Sequence, residues 1–276
     1  GVKCYITVNI MPSNRDLPAL PAYLELLQDA GADALIIADV GVLRMARRYA
    51  PKVPVHISTQ TSILNHEAAN YWADEGAERI VLARELSLEE IAEICAKTPK
   101  ELEIEAFVHG AMCISYSGRC LISQYMTGRD ANHGACAQPC RWNYSLMEEK
   151  RPGQFFPVEE DGRGTYLYNS KDMCMIEHVP ELIEAGITSF KIEGRNKTAY
   201  YAACVTGAYR AAIDTYKKDP ENFVLPQFCR DEVNKVSHRE YYTGFYFGNQ
   251  ENGQHYGDSQ YIREYEVVGM PVECDD

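Results

Sequence analysis

The chain has 276 residues, of which 46% are hydrophobic, and a formal net charge of −13. This length can bury one substantial core, and the acidic balance excludes a generally basic surface for nucleic acid, although a local basic patch stays open. No run of about 18 apolar residues appears, so no membrane-spanning helix is predicted.

Strands and helices are predicted to alternate along most of the chain. Alternating or wholly apolar runs predict strands at 4–10, 34–38, 55–58, 80–82, 102–108 and 188–192. Apolar residues at helical spacing predict helices at 17–30, 41–50, 65–76, 87–97, 171–185 and 198–217. The helix at 87–97 is expected to begin with a capping box formed by Ser87 and Glu90. A Gly/Pro/Glu-rich insertion interrupts the series at 148–165.

Strands that alternate with helices at a spacing of about 25 residues indicate parallel βα units. Six such strands are predicted here, whereas a closed barrel of this type needs about eight. We therefore predict an α/β fold, a TIM-type (β/α)8 barrel that lacks about two N-terminal βα units. An open doubly wound sheet is the alternative, but no Gly-rich phosphate-binding fingerprint follows any strand.

The predicted barrel and a C-terminal extension divide the chain into two regions. Residues 1–219 are expected to form the partial barrel, which carries the cysteine-rich stretch 103–142. Beyond Pro220 the regular spacing ends, and Tyr/Gly-rich sequence at 241–248 favours a small β-rich appendage over 220–276.

Polar residues at the predicted strand ends are candidates for a site. In a barrel, alternate residues of each strand face the helices and the lumen, so Glu105, Phe107 and His109 are expected to point inward. Active sites of such barrels lie at the carboxyl ends of the strands, where one shared pocket is therefore expected. The polar residues at these ends are Asn9, Gln60, Arg84, Glu85, His109, Glu193 and Arg195.

Structural roles compete with functional ones at several of these positions. Glu105 and Lys191 would equally suit a structural ion pair in the lumen, and His109 a hydrogen-bonded structural histidine. The run 193–195 (Glu-Gly-Arg) would suit either a helix cap or an anion-binding rim. His56 is predicted to be structural.

Four cysteines fall within 28 residues, in the spacing C-x6-C-x15-C-x3-C. They are Cys113, Cys120, Cys136 and Cys140. Four thiolates hold iron–sulfur clusters, whereas structural zinc prefers paired knuckles, and disulfide scaffolds are short and loop-rich. The spacing therefore favours an iron–sulfur centre in a reducing compartment, which we expect to be the cytoplasm, with zinc and free cysteines as alternatives. Cys174 competes with Cys140 as the fourth ligand.

A nucleophilic cysteine is the rival interpretation of this stretch. Cys113 lies four residues after His109 at a strand end, and a thiol protease needs such a pair with an orienting group. That mechanism would leave three further cysteines without a purpose. No serine elbow, HExxH motif or Walker loop is present.

Specific runs of sequence surround these cysteines. They are EAFVHGAMCISYSGRCLIS at 105–123, HISTQ at 56–60, VLARELS at 81–87, GACAQPCRW at 134–142 and KIEGR at 191–195. Together they resemble the collagenase-like peptidase family U32 along nearly the whole chain. Within that family the resemblance is nearest to the branch for prephenate-dependent 5-hydroxylation of the tRNA wobble uridine, judged by 121–142 and 228–246.

The resemblance implies a [4Fe-4S] enzyme of oxygen-independent tRNA hydroxylation, despite the peptidase name; a U32-type peptidase is the alternative. It carries over Cys113, Cys120 and Cys136 as cluster ligands, and Cys140 is predicted as the fourth. Residues expected to bind a small anionic hydroxyl donor, with prephenate as the candidate, are Gln60, Arg84, Lys191 and Arg195. Residues expected to move protons are Glu85, His109 and Glu193.

The resemblance also makes tRNA the expected partner. A local basic surface would be needed, for which the candidates are Lys191, Arg195, Lys197 and Arg210. A third, non-catalytic interpretation makes the chain an assembly partner whose cluster is structural. A further subunit and a homo-oligomer both remain open.

Overall fold

The computed structural model describes residues 1–142, 170–248, 261, 262 and 265, together with the backbone of 145–147 and 155–157. The predicted insertion at 148–165 lies largely outside the described residues, as does the C-terminal extension beyond 248.

The fold is α/β, with a mostly parallel sheet at its centre. The strands are β1 (Tyr5–Val8), β2 (Ala34–Ile37), β3 (Val55–Ile57), β4 (Arg79–Val81), β5 (Glu103–Ala111), β6 (Ser145–Met147), β7 (Phe155–Pro157), β8 (Asp172–Cys174), β9 (Ser189–Glu193) and β10 (Tyr241–Tyr242). In the sheet β1 to β5 follow one another in parallel, and β9 continues the parallel series beside β5. β8 joins the end of β5 antiparallel and β10 pairs with β8, while β6 and β7 form a separate antiparallel pair.

A closed barrel is not confirmed. Among the described strands, β1 pairs with β2 alone and β9 pairs with β5 alone, so the two ends of the parallel series do not meet. The six predicted strands all exist and run parallel to one another. The wholly apolar β2 is buried along its whole length, as is typical of a strand inside a parallel sheet. The prediction was therefore right about the βα units and their order, and the sheet they build is open.

The helices cover the sheet as the apolar spacing predicts. They are α1 (Leu20–Asp29), α2 (Val40–Tyr49), α3 (His66–Asp74), α4 (Leu88–Lys97), α5 (Ile122–Thr127), α6 (Val179–Glu184), α7 (Ala199–Lys218) and α8 (Gln227–Lys235). The capping box at the start of α4 is confirmed, because Ser87 and Glu90 exchange side-chain and backbone hydrogen bonds. No helix in the described part of the chain is long and apolar enough to cross a membrane.

One predicted element was wrong in its first half. The first residues of the predicted helix 171–185 form β8 instead, because they pair with the end of β5 and Asp172 binds Arg141; only Val179–Glu184 is α-helical. The β-rich extension stays a prediction, because most residues beyond 248 lie outside the described part; the described part contains α8, whose Cys229 and Val233 are buried next to α7, and the short strand β10. The short helix α5 within the cysteine stretch was not predicted.

Candidate functional site

A cavity of about 390 Å³ opens at the carboxyl ends of the parallel strands. It is lined by residues from β1, β2, β4, β5 and β9 and from segments that follow strands, including the one after β3. The predicted site residues that line it are Asn9, Gln60, Arg84, Cys113, Cys120, Cys136, Cys140, Lys191, Glu193 and Arg195. We call it the cysteine cavity. All four cysteines and all four residues predicted to bind an anion therefore share one space.

His109 does not line this cavity, contrary to its predicted inward direction. The pairing of β5 with β9 shifts register between Phe107 and His109, so that His109 lies opposite Ile192 rather than opposite Glu193. This bulge directs the imidazole away from the cavity and into the protein, where it is 1% exposed.

Tyrosines surround the buried His109. Its ring contacts the edge of Tyr209 at a centroid distance of 5.6 Å, and Tyr209 Oη lies 3.4 Å from Nδ1. Tyr241 Oη lies 3.4 Å from Nε2 on the other side. Burial lowers the pKa of His109 to about 3, so the imidazole is neutral near pH 7. It packs as a structural histidine, the alternative that the sequence left open.

Glu85 is also absent from the residues that line the cysteine cavity. It follows β4 in a turn, and burial raises the pKa of its carboxyl group above the usual value. The pKa of the neighbouring Tyr242 hydroxyl is raised chiefly by burial, and the negative charge of Glu85 adds to this increase. Of the three residues predicted to move protons, Glu193 alone is placed at this cavity.

Three of the thiols lie close enough to the fourth, Cys140, to affect its ionisation. Burial raises the pKa of Cys140 to about 11, and the neighbouring thiols of Cys113, Cys136 and Cys120 act in the same direction. The backbone N–H of Gln138 donates to Cys136 Sγ at 3.4 Å, a contact of the kind that stabilises a thiolate or a cluster sulfur. The sequence alone did not decide between Cys140 and Cys174, and the structure places Cys140 with the other three.

Cys174 belongs to a different environment. It sits on β8, where burial raises the pKa of its thiol to about 11, and the thiol hydrogen-bonds to Tyr209, the same tyrosine that contacts His109. It does not line the cysteine cavity. In the described part of the chain, no group of three or more His, Cys, Asp or Glu side chains is arranged to hold a single metal ion.

Arg84 spans the middle of the cavity wall. Its guanidinium lies over the Phe107 ring at 3.7 Å, donates to the Ala111 carbonyl oxygen at 2.8 Å, and comes within 3.8 Å of the Glu193 carboxylate. Its Nε is buried and has no hydrogen-bond partner within the described structure. Two other lining residues also have a buried polar atom without a hydrogen-bond partner in the described structure; these atoms are Gln60 Oε1 and Ser115 Oγ. Unpaired polar atoms are costly to bury, so three of them around one cavity indicate a polar ligand or ordered water.

Glu105 and Lys191 form an ion pair on the floor of the site. Lys191 Nζ lies 2.7 Å from Glu105 Oε1, and Arg79 Nη1 lies 3.0 Å from Oε2 of the same carboxylate. Although burial raises the pKa of Glu105, the charges and hydrogen bonds of Lys191, Ser189 and Arg79 outweigh it, and the pKa is lowered overall. The predicted structural ion pair therefore exists, and Lys191 still lines the cavity above it.

A second buried ion pair, not predicted from the sequence, secures the end of the cysteine stretch. Arg141 Nη1 donates to Asp172 Oδ1 at 3.1 Å, and Arg141 Nη2 donates to the Met112 carbonyl oxygen at 3.1 Å. One guanidinium thus ties the residue after Cys140 both to β8 and to the residue before Cys113. The only signal in the sequence was an arginine beside Cys140, and its partner lies 31 residues away.

Comparison with known proteins gives matches along the chain. The sequence profile of Peptidase family U32 matches residues 1–256. The tRNA hydroxylation protein P1 of Bacillus subtilis (strain 168) is 42% identical over 277 residues, which cover 100% of this chain and 65% of that protein. The tRNA hydroxylation protein P of Escherichia coli (strain K12) is 37% identical over 286 residues, with 89% of this chain and 62% of that protein covered.

An rRNA-modifying protein matches over a similar length. The 23S rRNA 5-hydroxycytidine C2501 synthase of Escherichia coli (strain K12) is 38% identical over 278 residues, which cover 99% of this chain and 40% of that protein. The chain thus spans less than two thirds of the length of each of these three relatives.

Proposed function

The chain belongs to Peptidase family U32, and on that premise we propose that it is an RNA-hydroxylating enzyme rather than a peptidase. In its full form the proposal is an oxygen-independent, prephenate-dependent 5-hydroxylation of the tRNA wobble uridine that uses a [4Fe-4S] cluster. The names of the similar proteins support the class of reaction, since two are tRNA hydroxylation proteins and one is an rRNA hydroxycytidine synthase. Such a reaction would place the chain in the cytoplasm.

The observation that carries the proposal is the set of four thiols around one cavity that also presents anion-binding groups. Cys113, Cys120, Cys136 and Cys140 would hold the cluster. Their arrangement does not suit a single bound ion, whereas a group of several iron and sulfur atoms occupies a wider space, which fits these donors better than zinc does. When bound, the cluster would supply electron transfer and Lewis acidity at the cavity wall.

The cationic lining would hold the small anionic co-substrate. Arg84 is held in place by Phe107 and by the Ala111 carbonyl oxygen, and its unpaired Nε remains as a donor for a carboxylate. Arg195 is exposed at the rim, and Lys191 presents its ammonium group from the floor. A dicarboxylate such as prephenate would meet Arg84 in the wall, Arg195 at the rim and Lys191 on the floor. The Phe107 ring would supply an apolar surface between them.

Glu193 is the residue at the cavity that we propose to move a proton. Its carboxylate accepts the backbone N–H of Arg195 at 3.0 Å and lies 3.8 Å from Arg84 Nη2. A carboxylate held in this way keeps a free lone pair that can accept a proton from a bound substrate. Since His109 and Glu85 do not line the cavity, they are left out of this mechanism.

The surface around the cavity suits RNA better than the acidic total charge suggests. Residues 112–142 contain three arginines and one aspartate, and Arg119 and Arg129 are exposed. Tyr125, on α5 of the same segment, is 90% exposed. Exposed arginine and aromatic side chains are the groups that contact single-stranded RNA, by phosphate pairing and base stacking. Arg210, also a predicted contact, is instead paired with Asp214 on the exposed face of α7.

A thiol peptidase would need a histidine beside its nucleophile. No histidine is among the described residues that line the cysteine cavity, and the histidine predicted to serve Cys113 is buried among tyrosines. The peptidase alternative therefore lacks its general base in this structure.

The test of the proposal is Cys136→Ala, with Cys204→Ala as the matched control because Cys204 lies on α7, away from the cavity. Protein purified without oxygen is assayed for iron and acid-labile sulfide, and tRNA from cells that carry each variant is analysed for hydroxylated wobble uridine by mass spectrometry. We expect about four iron atoms per chain in the wild type and the control, and loss of both iron and hydroxylation in Cys136→Ala. Full hydroxylation by Cys136→Ala would exclude the proposed mechanism.

A further inference from the structure

A second cavity of about 380 Å³ adjoins the cysteine cavity. The two share four lining residues, which are Ala111, Gln138, Glu193 and Asn196. Beyond this boundary the second cavity is lined by the start of α7, by the segment that follows α8 and by aromatic side chains. A ligand that occupies the second cavity would therefore touch the boundary of the space that holds the four thiols.

The N-terminus of α7 forms one wall of the second cavity. Thr198 is its N-cap and accepts the backbone N–H of Tyr201, and residues 196–198 together with Tyr200 and Tyr201 line the cavity. The first N–H groups of a helix have no intrahelical partner, and the helix dipole makes that end positive. The start of a 20-residue helix is therefore a favourable place for an oxyanion.

Tyr201 supplies an independent indication of a ligand. Its ring lines the second cavity, the residue is 2% exposed, and its hydroxyl oxygen has no hydrogen-bond partner within the described structure. Buried tyrosine hydroxyls usually find a partner, because an unpaired one loses its hydrogen bond to water without compensation. A polar group bound in the cavity would provide one.

Lysines and buried arginines make this region positive. Lys197 and Lys235 line the second cavity, from the start of α7 and the end of α8. The buried carboxylate of Asp172 lies 3.1 Å from Arg141 and 3.6 Å from Lys197, and it accepts the backbone N–H of Arg239 at 3.2 Å. Lys235 is paired with Glu232 at 2.7 Å. Two cations, Arg141 and Lys197, thus share one carboxylate, which leaves local positive charge in a chain whose total charge is −13.

We propose that the second cavity is a phosphate-binding subsite for the RNA strand, which holds a phosphate next to the target nucleotide so that its base enters the cysteine cavity. This inference rests on the proposed function and names how its substrate is placed. A base that is modified by an enzyme has to leave its stack, and a fixed phosphate beside it sets the direction in which it turns. The Tyr200 and Tyr201 rings supply surfaces against which the neighbouring nucleotide can pack.

Two substitutions test the subsite against binding of a fluorescein-labelled RNA hairpin with uridine in its single-stranded loop, followed by anisotropy over a range of salt concentrations. Lys235→Gln removes a partly exposed charge at the cavity, together with its ion pair to Glu232, and we expect weaker binding and a salt slope reduced by about one unit. Tyr201→Phe removes a hydroxyl with no protein partner, so we expect unchanged or higher thermal stability and roughly tenfold weaker RNA binding. Lys218→Gln, at the opposite end of α7, is the matched control and should bind as the wild type does.

The binding results distinguish failure of the phosphate subsite from failure of the proposed function. Equal RNA affinity for the wild type and the two cavity variants would overturn the phosphate subsite while the proposed function stands. No RNA binding by the wild type would overturn both. A small anion is the other source of the same chemistry, so inorganic phosphate and a dicarboxylate are titrated alone. If the two substitutions weaken binding of the dicarboxylate and leave RNA binding intact, the cavity holds a small molecule and the RNA assignment is wrong.

Discussion

Replacing Asp172 with asparagine removes a negative charge from a buried group of cations. Asp172 is fully buried and accepts hydrogen bonds from Arg141 Nη1 at 3.1 Å and from the Arg239 backbone N–H at 3.2 Å. Lys197 Nζ lies 3.6 Å from the same carboxylate. The Arg141 and Lys197 side chains are 4% and 11% exposed, so neither can turn into water without breaking local packing.

The magnitude follows from these contacts. Removal of one partner from a buried ion pair costs about 3–5 kcal/mol, because the remaining charge is left uncompensated. Asparagine keeps an oxygen that can accept from the Arg239 backbone, and Arg141 keeps its bond to the Met112 carbonyl oxygen. We therefore expect a loss near the lower end, about 3 kcal/mol in the free energy of unfolding. The burial of Asp172, rather than its distance to Arg141, decides this value.

An exposed ion pair provides the comparison. Arg47 and Glu75 lie 2.7 Å apart, which is closer than Arg141 and Asp172, yet their side chains are 48% and 36% exposed. Glu75→Gln should cost less than about 1 kcal/mol. Both variants are compared with the wild type by urea denaturation at pH 7, from the midpoint and the slope of each curve. If Asp172→Asn were no more destabilising than Glu75→Gln, the argument that burial decides the strength of this ion pair would be refuted.

Two further changes test the fold of the site. Burial, assisted by the charge of Arg79, lowers the pKa of His56 from 6.5 to about 4, so between these pH values the folded protein binds fewer protons than the unfolded chain does. The wild type should therefore lose stability relative to His56→Gln as the pH falls from about 6.5 to about 4. Urea midpoints of the two proteins at pH 7 and pH 5 would show this loss. Gly110 has φ = +103°, and a Cβ there would overlap the Glu193 carbonyl oxygen, so Gly110→Ala should lower stability by roughly 2 kcal/mol or more. Gly207→Ala, where a Cβ meets nothing within 4 Å on α7, should instead stabilise by up to about 1 kcal/mol; equal melting temperatures for the two variants would contradict this.

Local pattern was sufficient to predict the parallel strands and most of the helices. Apolar runs such as Ala34–Ile37 and the capping box at Ser87 carry their own conformational preference, and the structure agrees with them. It was not sufficient for β8, whose residues follow a helical pattern but pair with β5 in the folded chain. That pairing depends on residues about 60 positions away along the chain, and the local spacing of apolar residues carries no information about such distant partners.

The set of residues that share the cavity was predicted better than their geometry. The spacing of the cysteines and the polar strand ends identified ten residues that the structure brings to one cavity. His109 was misplaced because strict alternation was assumed along all of β5. The glycine at 110, inside a strand-like run, is the feature that signals a bulge, and with it the change of side that His109 undergoes.

The same bulge explains why the cysteine stretch begins at a fixed point. β5 pairs with β4 at its start, with β9 from Glu105 to Gly110 and with β8 at its end, so His109 and Gly110 are held from both sides. Cys113 therefore leaves the sheet from a rigid strand end. Cys140 is secured by its neighbour Arg141, which returns to the same strand end through Met112 and to β8 through Asp172. The first and last of the four thiols are thus tied to one structural unit. Less conformational entropy of the chain would therefore be lost if these thiols bound a cluster.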